Sequence, residues 1–314
     1  MPEAPPTAPL AAPRTAPLAP SQVPSPAASP APRARWNGAD RPVLPPPTLG
    51  ARLRLGVRAL WFAAGLATLF PLFLLARGLD LGLARLTGRR VAVLGPAVVR
   101  LWAAQALPCL GLRYVAHGRP MRGAGAFVAN HSSWIDIVAL QRAAAPFLVS
   151  KAEVRRWPGI GFIGAAIGTL FIDRRPTEAR RQEAALRARL AQGDHMALFP
   201  EGTSTDGQRV LPFKSSLFAV FHAEGLEGLS VQPVTIAYAP RPGLPASFYG
   251  WWGEMDFGRH IAEVMARSTG GTVTLTFHPP LPLAAHADRK ALARAAEAAV
   301  RAALPPAAAE AAGR

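Results

Sequence analysis

After residue 112 the sequence takes on a rhythm that only one class of fold accommodates well: short apolar runs separated by longer stretches of helical composition. The runs fall at 112–115, 126–129, 147–150, 169–172, 196–199, 231–237 and 272–277. Alternation of strand-like and helix-like segments is the pattern of an α/β layer fold. Between the runs, 177–192 is rich in Ala, Arg and Leu and stops at Gly193, and 288–304 reads as a closing amphipathic helix. The expectation is a mixed sheet flanked by helices over 112–304.

The chain before residue 112 is of another kind. Residues 1–50 are mainly Pro, Ala and Ser and hold nearly half of the 33 prolines. Such a segment cannot bury a core, so it reads as a disordered or extended tail. It lacks the basic start, apolar block and cleavage site of a secretory signal. Pro-rich sequence can bind partners in extended form, although a solvated tail is the plainer reading. Residues 59–76 (ALWFAAGLATLFPLFLLA) carry no charge and are bracketed by Arg52, Arg54 and Arg58 before and Arg77 after. A span needs roughly 20 apolar residues, so this stretch is near the lower limit without its neighbours, and Pro71 is placed to kink it. Spanning, re-entrant and interfacial placements all fit, and arginines on both sides leave orientation open. A second apolar segment, 91–112 with Arg100 inside it, reads as a helix beside the first; two buried core helices are the alternative. The division is thus a tail at 1–50, membrane-associated helices at 51–111, the α/β domain at 112–304 and a flexible end at 305–314.

Charge and composition narrow the partners. The formal net charge is +16, while 50% of residues are hydrophobic and 17% charged. That combination suits a protein that meets lipid, with arginines drawn to anionic headgroups. Nucleic acid is the competing partner of a basic chain. The sequence shows no zinc spacing, aromatic RNA-binding signature or basic helix beside heptads, so nucleic acid is not expected. Cys109, the single cysteine, excludes an internal disulfide and lies in an apolar stretch, which suits an inert core thiol.

Two short segments hold the chemistry. His131, just after the 126–129 run, sits where a strand-to-helix loop exposes a side chain, and Asp136 follows five residues on. Such a carboxylate can accept from one imidazole nitrogen and leave the other to remove a proton from a hydroxyl. Ser132 or Ser133 is the expected cap of the helix that follows. The plainer reading makes His131 a polar loop residue and Asp136 a solvated carboxylate favoured by the helix dipole. The second segment is the 196–199 run with Pro200, Glu201, Gly202, Thr203 and Ser204. A carboxylate and a Gly turn at a strand end suit a ligand loop, in which Glu201 either binds an acceptor hydroxyl or orders the loop. The stretch from Gly202 to Asp206 approaches a serine-hydrolase elbow, but Asp206 stands where that turn requires Gly.

Four ordered blocks, NHSSWID at 130–136, GTLFIDRR at 168–175, FPEGTST at 199–205 and VQPVTIAY at 231–238, resemble the glycerolipid acyltransferase family. That family includes lysophosphatidic acid and lyso-ornithine lipid acyltransferases, and the likeness covers roughly 112–277. It implies an α/β domain behind N-terminal membrane-binding helices. The acyl group would move from acyl carrier protein or acyl-CoA to a lysolipid hydroxyl, without metal or prosthetic group. His131 matches the family's base and Asp136 its partner. Arg174 matches a substrate-binding arginine, and Glu201, Gly202 and Thr203 belong to the acceptor-binding block. Lys151 resembles a basic residue that contacts the acceptor headgroup, although an exposed lysine at a helix start reads as well. Lys214 is a further candidate. Many phosphatidate-forming members continue Glu-Gly-Thr with arginine, whereas this chain has Ser204, so FPEGTSTDG looks more like the lyso-ornithine lipid branch. The resemblance places such a protein in the inner membrane with its catalytic domain facing the cytoplasm. The alternatives are a dedicated 1-acylglycerol-3-phosphate acyltransferase and an inactive membrane scaffold.

Overall fold

The computed structural model describes residues 36–89, 91–173 and 176–305, and for 176–180 the backbone only. Most of the expected Pro-rich tail and of the C-terminal end therefore lie outside the described residues. The first helix, α1 (Leu49–Thr87), has 39 residues and far exceeds the apolar stretch at its centre. Thr48 caps it by accepting from the Ala51 amide, and Gly88 ends it in a left-handed turn (φ +65°). Pro71 lies inside without ending it. By length and composition α1 can cross a membrane, and its most apolar 18-residue window is only 17% buried. Leu60, Trp61, Leu75 and Leu79 are all more than half exposed, which rules out a helix enclosed in a protein core.

A tight turn leads into α2 (Leu94–Cys109), which packs back along α1. Two features of α1 hold this hairpin. A Cβ at Gly65 would lie 2.2 Å from Gln105 Nε2, so glycine leaves room for the Gln105 amide against α1. Asp80, the one acidic residue of α1 and 1% exposed, accepts from the amides of Val93, Leu94 and Gly95 and so satisfies the start of α2.

The rest alternates strands and helices: β1 (Leu112–His117), β2 (Gly125–Ala129), α3 (Ile135–Ala144), β3 (Phe147–Lys151), α4 (Ile160–Ala166), β4 (Leu170–Ile172), α5 (Pro176–Ala191), β5 (His195–Leu198), β6 (Ser230–Ala239), α6 (Phe257–Arg267), β7 (Gly271–Phe277), β8 (Leu281–Pro282) and α7 (Arg289–Ala303). The sheet runs β1-β7-β6-β2-β5-β3-β4, with β8 added against β6. It is mixed: β4, β3, β5, β2 and β6 run parallel to one another, β7 and β8 pair antiparallel with β6, and β1 runs parallel to β7. Side chains of β2 alternate between two cores. Phe127 and Ala129 join α2, α3 and α6 on one face, while Ala126 and Val128 join α7 on the other. The helices α1, α2 and α3 thus share one side of the sheet.

The boundary expected at residue 50 does not hold. Residues 36–48 lie along the α/β domain: Trp36 packs edge-on against Trp252 at 6.1 Å, and Trp252 Nε1 donates to the Ala39 carbonyl. Aromatic contacts and backbone hydrogen bonds attach a segment whose composition reads as solvated. At the other end of that attachment, Arg54 and Arg58 of α1 donate to the carbonyls of Met265, Ala266 and Ser268 at the end of α6.

Candidate active site

β2 and β5 are parallel neighbours, so their C-terminal ends open at one edge of the sheet. From there the chain leaves β2 through α3 to β3, beyond β5, and leaves β5 for β6, on the far side of β2. Connections that part in opposite directions open a crevice at strand ends in α/β sheets. His131 and Glu201 sit in that crevice.

Asn130 sets the geometry first. It is 1% exposed, and its amide both donates to and accepts from the backbone of Ile236 in β6, at 2.8 Å each. This adds one rung to the sheet after the β2 backbone has turned away. His131 Nδ1 then lies 2.8 Å from Asp136 Oδ2. The same oxygen accepts from the amides of Ser132 (2.8 Å) and Ser133 (2.9 Å). Asp136 Oδ1 accepts from Tyr238 Oη at 2.6 Å. Asp136 is fully buried. The solvated reading of this carboxylate is therefore wrong: Asp136 reaches back from the first turn of α3 to the preceding amides, while Ser133 Oγ, one of the two expected caps, accepts from the Ile135 amide at the start of α3 at 3.3 Å. Surrounded by donors, the carboxylate acts as acceptor, which puts the imidazole proton on Nδ1 and the lone pair on Nε2. The His131 side chain is 19% exposed and stacks on Phe199, with ring centroids 4.2 Å apart. No other described residue bonds to Nε2, which is left to face an incoming group.

Glu201 is 1% exposed, and both its oxygens are occupied by backbone: Oε1 accepts from the His131 amide (2.8 Å) and Oε2 from the Leu211 amide (2.9 Å). Burial pushes its carboxyl from an ordinary 4.5 up to about 8, against the two amides that favour the charged form. Of the two roles expected of Glu201, ordering the loop is seen directly: through these two amides it joins the His131 and Glu201 loops. Thr205 N–H donates to the His131 carbonyl at 2.9 Å, and Trp251 N–H to that of Ser132 at 2.7 Å, so the His131 turn is held from several sides.

Gly202 has φ +72°, and a Cβ there would lie 2.6 Å from Lys214 Nζ. The backbone conformation and the lysine both call for glycine. Thr203 Oγ1 is 3.5 Å from the Trp36 amide, at the limit for a hydrogen bond. Lys151 ends β3, is exposed, and lies at the same sheet edge because β3 runs parallel to β5. Arg174 lies outside the described residues. Among the described residues, no cluster of three or more His, Cys, Asp and Glu side chains could hold a metal ion.

Tyr238 and Asn130 are structurally central, and the motif reading assigned them no role. The β6 register carried a signal for Tyr238: Val234 pairs with Ala129, so Tyr238, four residues on, must lie beyond the end of β2. Burial, then the charge of Asp136, drive its phenol pKa far up, so it stays a donor.

The sequence model of the family described as Acyltransferase matches residues 113–237, which contain the loops of His131 and Glu201. A lyso-ornithine lipid O-acyltransferase of Rhodobacter capsulatus is 44% identical over 274 residues, covering 86% of this chain and 96% of that protein. The chain belongs to the acyltransferase family. As an acyltransferase it bears out the resemblance carried by its motif blocks. A lyso-ornithine lipid O-acyltransferase of Pseudomonas aeruginosa is 36% identical, across 81% of this chain and 95% of that one. The crystal structure of the 1-acyl-sn-glycerophosphate acyltransferase of Thermotoga maritima shares the fold, with a TM-score of 0.57 at 22% identity over 81% of this acyltransferase and 96% of that chain.

Proposed function

We propose that this acyltransferase moves a fatty acyl group from an acyl carrier protein or CoA thioester to the hydroxyl of lyso-ornithine lipid. The observation that carries this reading is the His131 and Asp136 pair at 2.8 Å, with Nε2 turned to the crevice. His131 Nε2 takes the proton of the acceptor hydroxyl as its oxygen attacks the thioester carbonyl, and Asp136 stabilises the imidazolium. The tetrahedral oxyanion collapses, the C–S bond breaks, and the thiolate takes the proton from Nε2. Ester and thiol leave, and His131 is neutral again. No step calls for a metal or prosthetic group.

A phosphate-free acceptor is supported by two features of the Glu201 loop. Ser204 stands where an arginine would meet phosphate. Arg209, the arginine within that loop, is already bound by buried Asp206, with Nε–Oδ1 at 3.2 Å and Nη2–Oδ2 at 2.9 Å. Lys214 beside Gly202 favours 1-acylglycerol 3-phosphate as a second acceptor, since its ammonium can meet a phosphate there. The exposed apolar α1 supports a seat in the inner membrane, with the catalytic domain on the cytoplasmic side where the thioester donors are made. The test is His131→Ala, assayed with acyl carrier protein and CoA thioesters against both lysolipids. Loss of transfer to lyso-ornithine lipid is expected, and substantial turnover by a folded variant overturns the assignment.

A further inference from the structure

Away from the crevice, a cleft of about 490 Å³ lies between α2, β1 and α3. Arg100 from α2, Tyr114 from β1 and Arg142 from the last turn of α3 face it, and Ala97, Leu101 and Ala104 of α2 supply apolar wall. Arg142 lies over the Tyr114 ring, with its guanidinium carbon 5.1 Å from the centroid. Burial raises the Tyr114 phenol pKa, while the charges of Arg142 and Arg100 both oppose it, so both guanidiniums act on this one hydroxyl. Among the described residues neither arginine is in an ion pair. Two guanidiniums without carboxylates, beside a phenol donor, form a cation site with no matching anion among the described residues.

The position of the cleft narrows what fills it. Leu101 belongs both to the cleft wall and to the exposed apolar surface of α2, at 54% exposure, with Leu94 at 44% and Val93 at 65%. That surface continues onto α1, against which α2 packs. A ligand here meets positive charge at one end and lipid-facing side chains at the other. Arg142 is also six residues beyond Asp136 along α3, roughly 9 Å of helix, and at the end of α3 opposite to the His131 loop.

We propose that this cleft holds the phosphate of an anionic membrane phospholipid, clamped by Arg100 and Arg142 with Tyr114 Oη as third donor, its glycerol and upper acyl chain lying on Leu101, Ala97 and Ala104. It is a second lipid site, separate from the acyl-transfer crevice, that ties the α2 and α3 side of the sheet to the bilayer surface.

The test uses the full chain in a neutral detergent, titrated with phosphatidylglycerol or phosphatidylcholine and read by native mass spectrometry. Arg100→Gln with Arg142→Gln should weaken phosphatidylglycerol binding about 10- to 30-fold. The same two positions as lysine should lose less, since the charge stays and the fork is lost. Tyr114→Phe should cost about 10-fold. A control pair, Arg289→Gln with Arg294→Gln on α7 at the other face, removes equal net charge and should change binding less than about 3-fold. Sodium phosphate should release no more lipid than sodium chloride at equal ionic strength. Equal losses in the test and control pairs would reduce the effect to net charge and overturn the site. Unchanged binding in the glutamine pair, phosphatidylcholine binding as tight as phosphatidylglycerol, or selective displacement by inorganic phosphate would also overturn it. A glutamine pair that fails to fold shifts the decision to the lysine pair, for which wild-type affinity is the overturning result.

Discussion

The two loops that meet at the crevice each bury a carboxylate completely, yet they surround it differently. Asp136, in the first turn of α3 after the β2 loop, receives two amides, one imidazole N–H and one phenol. Glu201, in the loop after β5, receives two amides and nothing else. Burial costs both groups, but only the first is compensated by donors on both oxygens that include the His131 imidazole and the Tyr238 phenol. Glu201 is pushed towards its neutral form and works as a clasp between the loops. A buried carboxylate in a conspicuous motif is therefore not one kind of part; its donors decide whether it steers a proton or holds a backbone.

Substitutions can break or sharpen that contrast. His131→Ala should have the largest effect, a fall in kcat of about 10³-fold or more, because the group that takes the proton is gone. Asp136→Asn should follow at about 10²- to 10⁴-fold, since an amide aims its own N–H at donors and disfavours the Nδ1–H form of His131. If the two carboxylates were equivalent, Glu201→Gln would match it. Tyr238→Phe removes one of the donors on Asp136 and should lower kcat about 3- to 10-fold with KM little changed, as measured in steady-state assays. Glu201→Gln should have the smallest effect on kcat and a distinct effect on stability. Its folded pKa, about 8, is above its ordinary 4.5, so the native carboxyl keeps a proton that the unfolded chain has released. That contribution is fully present below about pH 4.5 and is lost as pH rises through about 8. Chemical unfolding across this range should show wild type losing stability relative to the glutamine variant, which does not titrate. A flat difference would mean that Glu201 takes up no proton on folding.

The strands were legible because their side chains must leave water. All seven runs read from the sequence lie within one or two residues of β1 to β7. The two-residue β8 has no pattern of its own and exists only because β6 offers an edge to Leu281 and Pro282. α6 went unread, since its amphipathic face is short and its place is set by the arginines of α1 at one end and by Asp256, which caps the other. Residues 36–48 read as tail because proline and small residues promise no core. Their attachment runs through Trp36 and backbone carbonyls, which composition does not record.

At the site, the reaction class was named through the resemblance carried by four ordered blocks, whereas the residue types and spacing alone showed only a base, a carboxylate in reach and a turn glycine. The partners of those groups were not. Tyr238 stands 102 positions from Asp136, and the Leu211 amide reaches Glu201 across a loop of its own. The sequence by itself thus determined an apolar helical start, an α/β sheet and a histidine with a carboxylate in reach. Only the tertiary structure decided that Asp136 is met by an imidazole and a phenol, while Glu201 is met by two amides alone and is pressed towards neutrality. That difference depends on burial and on how many donors converge from distant strands, and both come into being only when the chain has folded.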